Sequence, residues 1–95
     1  MRPLYLIAEI YPDPEKLSEA KKAFEELIAA TQKEKGCLLY DLVIEEGNAC
    51  WMMLEKWESR SAWDEHMKSN HVIAMNAASP KFTSQPTRLR FLESF

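Results

Sequence analysis

Two apolar runs, residues 37–45 (CLLYDLVIE) and 50–57 (CWMMLEKW), flank the short polar segment Glu46-Gly47-Asn48-Ala49. Two β-prone runs joined through a Gly-Asn pair predict a tight hairpin. With Gly47-Asn48 as the loop, paired residue numbers sum to 95. Leu38, Tyr40, Leu42 and Ile44 then oppose Trp57, Glu55, Met53 and Trp51 on one side. Leu39, Asp41, Val43 and Glu45 oppose Lys56, Leu54, Met52 and Cys50 on the other. Both faces are largely apolar, whereas a hairpin with one wet side alternates cleanly between apolar and polar. One layer of helices can cover one face; the second face needs another cover. The register also keeps Cys37 far from Cys50, and a disulfide needs Cα atoms within about 7 Å, so two free thiols are expected.

The remaining segments supply the helices and two more strands. Leu4 to Tyr11 alternates Leu4, Leu6, Ala8 and Ile10 with Tyr5, Ile7, Glu9 and Tyr11, a strand period. Asp13-Pro14 opens a helix expected over residues 14–35, because Asp suits the N-cap and Pro the first helical position. Leu17, Ala20, Phe24, Leu27, Ile28 and Thr31 form its apolar stripe, and Gly36 is the expected stop. Residues 59–78 are helical in character but interrupted. Ser59 or Ser61 can cap the first part, and Ser69-Asn70 offers a second start. A loop is expected over residues 81–86 and a last strand from Thr87 to Phe95. The order strand, helix, strand, strand, helix, strand predicts a ferredoxin-like βαββαβ α+β fold. It has a four-stranded antiparallel sheet and its helices on one face.

Ninety-five residues suit a single domain, 1–95, and 46% of them are hydrophobic. That apolar surplus fits pairing of two copies through their bare sheet faces. A net charge of −3 with no basic tract argues against nucleic-acid binding. No apolar run approaches the ~18–20 residues of a membrane span, and no signal-peptide layout is seen, so a cytoplasmic, soluble protein is expected. Neither a Rossmann glycine pattern nor a P-loop nor a metal-ligand cluster is present in the sequence.

Both histidines and two of the three tryptophans lie between Leu54 and Val72. His66 follows Trp63 by three residues on one helix face. It reads either as a general base or hydrogen-bond partner or as a structural histidine at a helix end. His71 is about 140° round a continuous helix from His66, so the two share a face only if the helix breaks at Ser69. A two-histidine metal site finds no third ligand in the sequence, and no metal is expected. Trp57 and Trp63 could stack on an aromatic substrate or fill the core. Glu55, on an apolar face between Met53 and Trp57, needs a partner such as Arg88, Arg90 or a histidine. Tyr5, Tyr11 and Tyr40 offer hydroxyls, Tyr40 on the face of Glu55.

The pattern Ser59-x-x-Ala62-Trp63-x-x-His66-x-x-Ser69-x-His71 resembles the antibiotic biosynthesis monooxygenase family. So do Asp13-Pro14, the turn Glu34-Lys35-Gly36-Cys37, and Glu55-Lys56-Trp57-Glu58-Ser59. The resemblance implies a dimeric α+β barrel with a pocket in each subunit between sheet and helices. It also implies oxidation of a small quinol or polycyclic phenol by O₂ with no cofactor, the deprotonated substrate supplying the electrons. His66 would be the catalytic residue, with Trp63, Glu55, Trp57, His71 and Tyr40 around the substrate. An oxygen-independent isomerase or a non-catalytic ligand-binding dimer on the same scaffold is the alternative. Ile10, His66 and Asn76 differ from what the haem-degrading branch carries at the matching positions, which argues against that activity.

Overall fold

The hairpin forms in the expected register. Tyr40 lies opposite Glu55 and Ile44 opposite Trp51, and the Glu45 N–H donates to the Cys50 carbonyl at 2.9 Å. The computed structural model describes residues 2–47 and 50–95. Gly47 sits at φ 92°, where glycine carries no steric cost. Asn48, its expected partner in the turn, lies outside the described residues. The ladder slips at its far end. Cys37, not Leu38, faces Trp57, and the bulge before Leu39 leaves Leu38 over half exposed, at 55%. Both cysteines are free.

Strands β1 (Leu4–Pro12), β2 (Cys37–Ile44), β3 (Trp51–Trp57) and β4 (Thr83–Leu92) form one antiparallel sheet in the order β2-β3-β1-β4. Helices α1 (Leu17–Thr31), α2 (Arg60–Met67) and α3 (Asn70–Ala78) connect them, with single 3₁₀ turns at Pro14–Lys16 and Ser79–Lys81. Asp13 caps the first turn, its carboxylate accepting the Glu15 N–H at 2.9 Å. β4 begins four residues earlier than expected. Thr83 and Gln85 already pair with Pro12 and Tyr11 across two irregularities, so the expected loop over 81–86 is mostly strand.

Helix α1 ends at Thr31, four residues short of the expected boundary, and unwinds through tighter bonds. Lys33 N–H donates to Ala30 and Glu34 N–H to Thr31. Gly36 is therefore not its C-cap, and φ is not positive there. Its missing side chain serves a different contact: a Cβ at Gly36 would overlap the Ala62 Cβ on α2. Glu58 N–H donates to the Gly36 carbonyl at 2.8 Å, closing the same approach. The break in residues 59–78 falls at Ser69, as expected. Ser59 caps α2 by accepting the Ala62 N–H at 3.1 Å, and Ser69 accepts the Val72 N–H at the start of α3.

All helices cover one sheet face. Leu6, Ala8, Ile10, Tyr40, Trp51, Met53 and Trp57 from that face pack against Ala20, Phe24 and Leu27 of α1 and Val72 of α3. The opposite face is uncovered. Ile7, Met52 and Leu54 are half-buried there, while Leu39, Val43 and Leu92 are exposed. Among the described residues, no helix is long and apolar enough to cross a membrane.

Candidate functional site

Between the sheet and helices α2 and α3 lies a cleft of about 610 Å³, within the ~300–1,000 Å³ range of small-molecule sites. Its walls are mainly apolar, from Ile10, Phe24, Leu27, Met53, Val72 and Leu89 among others. Leu89 and Phe91 of β4 share the helix-facing side with Ala8 and Leu6. The helices do not close fully over them. Trp63 of α2 borders the cleft and meets Phe91 edge-on at 5.2 Å, and the Arg60 guanidinium lies over both rings.

Tyr40, Glu55 and His66 are the titratable side chains of the lining, and Asn76, Ser79, Thr83, Ser84, Gln85 and Thr87 add further polar groups. Adjacent pairing on β2 and β3 places Tyr40 beside Glu55. Burial drives the Glu55 carboxyl up to about 7; the Trp57 indole restrains this rise and the Glu34 charge adds to it. Trp57 Nε1 donates to Glu55 Oε1 at 3.0 Å. Burial likewise raises the Tyr40 hydroxyl, with the charge of Glu55 acting the same way, so Tyr40 remains a protonated donor. Arg88 and Arg90, expected as possible partners of Glu55, cannot reach it. They alternate with Leu89 and Phe91 and so project from the bare face, where both lie near Glu9 at 3.7 and 3.8 Å.

His66 is buried, packed at a 37° tilt against Trp57 with centroids 4.5 Å apart and edge-on to Tyr40 at 5.5 Å. Its Nδ1 meets Glu34 Oε2 at 2.7 Å, in place of the backbone bond a structural histidine would make. Burial lowers its pKa; the Glu34 hydrogen bond and charge oppose this, and His71 adds to it. With Nδ1 engaged by the Glu34 carboxyl group, Nε2 is the unengaged nitrogen of a ring that borders the cleft.

Two expected substrate-binding residues are placed elsewhere. Trp57 is fully buried behind His66 and does not border the cleft. His71 faces away, bordering a smaller cleft of about 230 Å³ between α1 and α3. Its Nε2 meets the same Glu34 Oε2 at 2.7 Å. The break at Ser69 is what brings the two histidines together, 6.0 Å apart between ring centroids. Glu34 is the residue that sequence reasoning missed. It lies in the α1–β2 turn between Lys33 and Lys35, a charge pattern that suits solvent, and its place in the Glu34-Lys35-Gly36-Cys37 turn is the one signal the sequence carries.

A four-stranded antiparallel sheet in this order, with helices on one face and a ligand-sized cleft between the layers, defines a ferredoxin-like α+β protein. The sequence profile described as antibiotic biosynthesis monooxygenase matches residues 3–78, and the chain belongs to that family. It is 29% identical over 90 residues to Rv0793 of Mycobacterium tuberculosis, a candidate monooxygenase, covering 95% of this chain and 89% of that one. The solved structure of Rv0793 superposes with a TM-score of 0.93 at 28% identity, over 99% and 96% of the two chains. A conserved protein from Methanosarcina mazei Go1 gives 0.93 at 26%, over 100% and 95%. PA3566 from Pseudomonas aeruginosa gives 0.91 at 25%, over 100% and 96%.

Proposed function

We propose that this chain is a monooxygenase that oxidises a small quinol or polycyclic phenol with O₂ in the cleft, using no cofactor, with His66 as the base. The observation that carries this reading is the state of His66: Nδ1 is tied to Glu34 and Nε2 is left free on a ring bordering an apolar, ligand-sized cleft. Burial keeps that imidazole neutral, the form a base must take. His66 Nε2 accepts the phenolic proton, and the electron-rich ring carbon of the phenolate forms a C–O bond with O₂. The O–O bond then breaks as the ring C–H proton leaves. One oxygen stays as a carbonyl and the other departs as water, carrying the two protons. All electrons come from the substrate. Tyr40 donates to the substrate oxygen, and Trp63 with the apolar side chains of the lining packs against the aromatic ring.

Oxygen-electrode measurements over a panel of quinols and polycyclic phenols test this. O₂ uptake with one class, lost in His66→Ala, is expected; no uptake on any of them refutes it.

Glu55 supports a second reading. A carboxyl titrating near 7 beside a neutral imidazole in one cleft also suits an isomerase that shuttles a proton without O₂. Turnover unchanged under anaerobic conditions selects it.

The bare sheet face is read as the surface where two copies pair into a homodimer, with each cleft on the far side of its sheet.

A further inference from the structure

Glu34, His66 and His71 come from the α1–β2 turn, α2 and α3, and meet at a single carboxylate oxygen. We propose that these three side chains form a site for one divalent transition-metal ion of the zinc class, set behind the wall of the cleft. Glu34 Oε2, His66 Nδ1 and His71 Nε2 lie within 4.8 Å of one another. Two imidazoles and one carboxylate suit Zn²⁺, Co²⁺ or Fe²⁺; Mg²⁺ and Ca²⁺ prefer all-oxygen shells.

An ion bound at ~2.0–2.2 Å from each atom needs the two 2.7 Å contacts to open slightly and the nitrogens to draw together. Glu34 and His71, both partly exposed, are the side chains that would shift. Glu34 and His71 side chains are 20% and 26% exposed, so an ion and its completing waters can enter. The His66 side chain, at 4%, anchors the site from inside.

Of the three, only His66 borders the main cleft, so its ring separates the ion from whatever binds there. The effect on the cleft, which rests on reading it as the substrate site, is a change of tautomer. In the hydrogen-bonded arrangement His66 carries its proton on Nδ1 and Nε2 is an acceptor. An ion takes the Nδ1 lone pair, so the proton resides on Nε2. His71 makes the reverse exchange, from Nε2 to Nδ1. Two initially neutral rings release no net proton in doing so. Metal loading therefore converts His66 from a proton acceptor into a hydrogen-bond donor, able to stabilise a phenolate but not to create one.

The test titrates the chelator-stripped 95-residue chain with Zn²⁺ by calorimetry and with Co²⁺ by visible absorption, and follows the imidazole ¹⁵N shifts. One ion per chain is expected, with affinity falling more than ~100-fold in Glu34→Gln and in His71→Ala, since a lost ligand costs more than the ~10–100-fold of a lost supporting contact. Saturating Zn²⁺ should move the His66 proton from Nδ1 to Nε2. No saturable binding by the wild type at millimolar ion overturns the site. Undiminished binding in both variants, or loss in Cys37→Ser instead, also overturns it. A His66 that keeps Nδ1–H under saturating Zn²⁺ overturns the tautomer change. Every readout is made without substrate, so failure of the monooxygenase reading would leave these results standing, and the converse holds.

Discussion

Glu55→Gln provides a direct test of the buried carboxyl. Burial raises Glu55 from 4.5 to about 7, so the folded state holds its proton more tightly than the unfolded chain does. At ~1.4 kcal/mol for each tenfold in proton affinity, the displacement corresponds to about 3 kcal/mol. A carboxyl with a raised folded-state pKa contributes stability that is fully present below the unfolded value and is lost as pH rises through the folded one. Wild-type stability should therefore fall by about 3 kcal/mol between pH ~4.5 and pH ~7.5 from this group alone. Glutamine keeps a carbonyl to accept the Trp57 N–H but does not titrate, so its own cost is constant with pH. His66, whose pKa is lowered, acts with the opposite sign: it withdraws stability as pH falls below its unfolded value. It is present in both proteins and cancels in the difference. Urea denaturation at fixed protomer concentration, from pH 4 to 9, gives that difference as a curve. Stability of Glu55→Gln relative to wild type should rise by about 3 kcal/mol over this window. Parallel profiles would refute the burial argument.

Gly36→Ala should cost about 1–3 kcal/mol, a melting-temperature drop of roughly 4–8 °C per kcal/mol, by driving a methyl into Ala62. Adding Ala62→Gly should restore part of the loss; calorimetry that shows no coupling between the two would place the strain elsewhere. Val43→Lys puts a charge amid the exposed apolar face of β2 and should convert a dimer to a monomer on a sizing column. A wild type already monomeric at micromolar concentration would contradict the reading of that face.

The fold was readable where periodicity and turn chemistry agree. The hairpin register follows from two alternating strands around Gly47, and the division of residues 59–78 follows from the capping serines. Boundaries set by tertiary contact were not readable. Helix α1 stops at Thr31 because the chain must turn down onto α2, and Gly36, which looks like a helix stop, is instead a packing site. The cleft was partly readable: Trp63, His66, Tyr40 and Glu55 border it, whereas Trp57 and His71 do not. Trp57 resembles a stacking residue in sequence because a fully buried tryptophan and a ligand-facing one have the same composition signal. The alternation of Arg88 and Arg90 with Leu89 and Phe91 already separates those arginines from Glu55, on opposite faces of the sheet.

Glu34 shows why a side chain can be invisible in sequence yet central in space. Its neighbours Lys33 and Lys35 suggest solvent, and its own strand and helix periods carry no signal. The backbone fixes it nonetheless: its N–H donates to Thr31 and its carbonyl accepts from Cys37, so the turn cannot swing outward. A continuous helix through Ser69 would hold His71 about 140° away from His66, and Glu34 could then meet only one imidazole. Ser69 prevents this. Its hydroxyl donates to the His66 carbonyl at 2.6 Å and accepts the Val72 N–H, ending one helix and starting the next. With the helix broken, the Glu34 Oε2 atom meets both imidazoles at 2.7 Å instead of one. The glycine that lets the turn approach α2 and the serine that breaks the helix thus act on the same point. Gly36 lets the Glu34 turn lie against α2, and Ser69 adds His71 to the carboxylate oxygen that holds the one imidazole bordering the cleft.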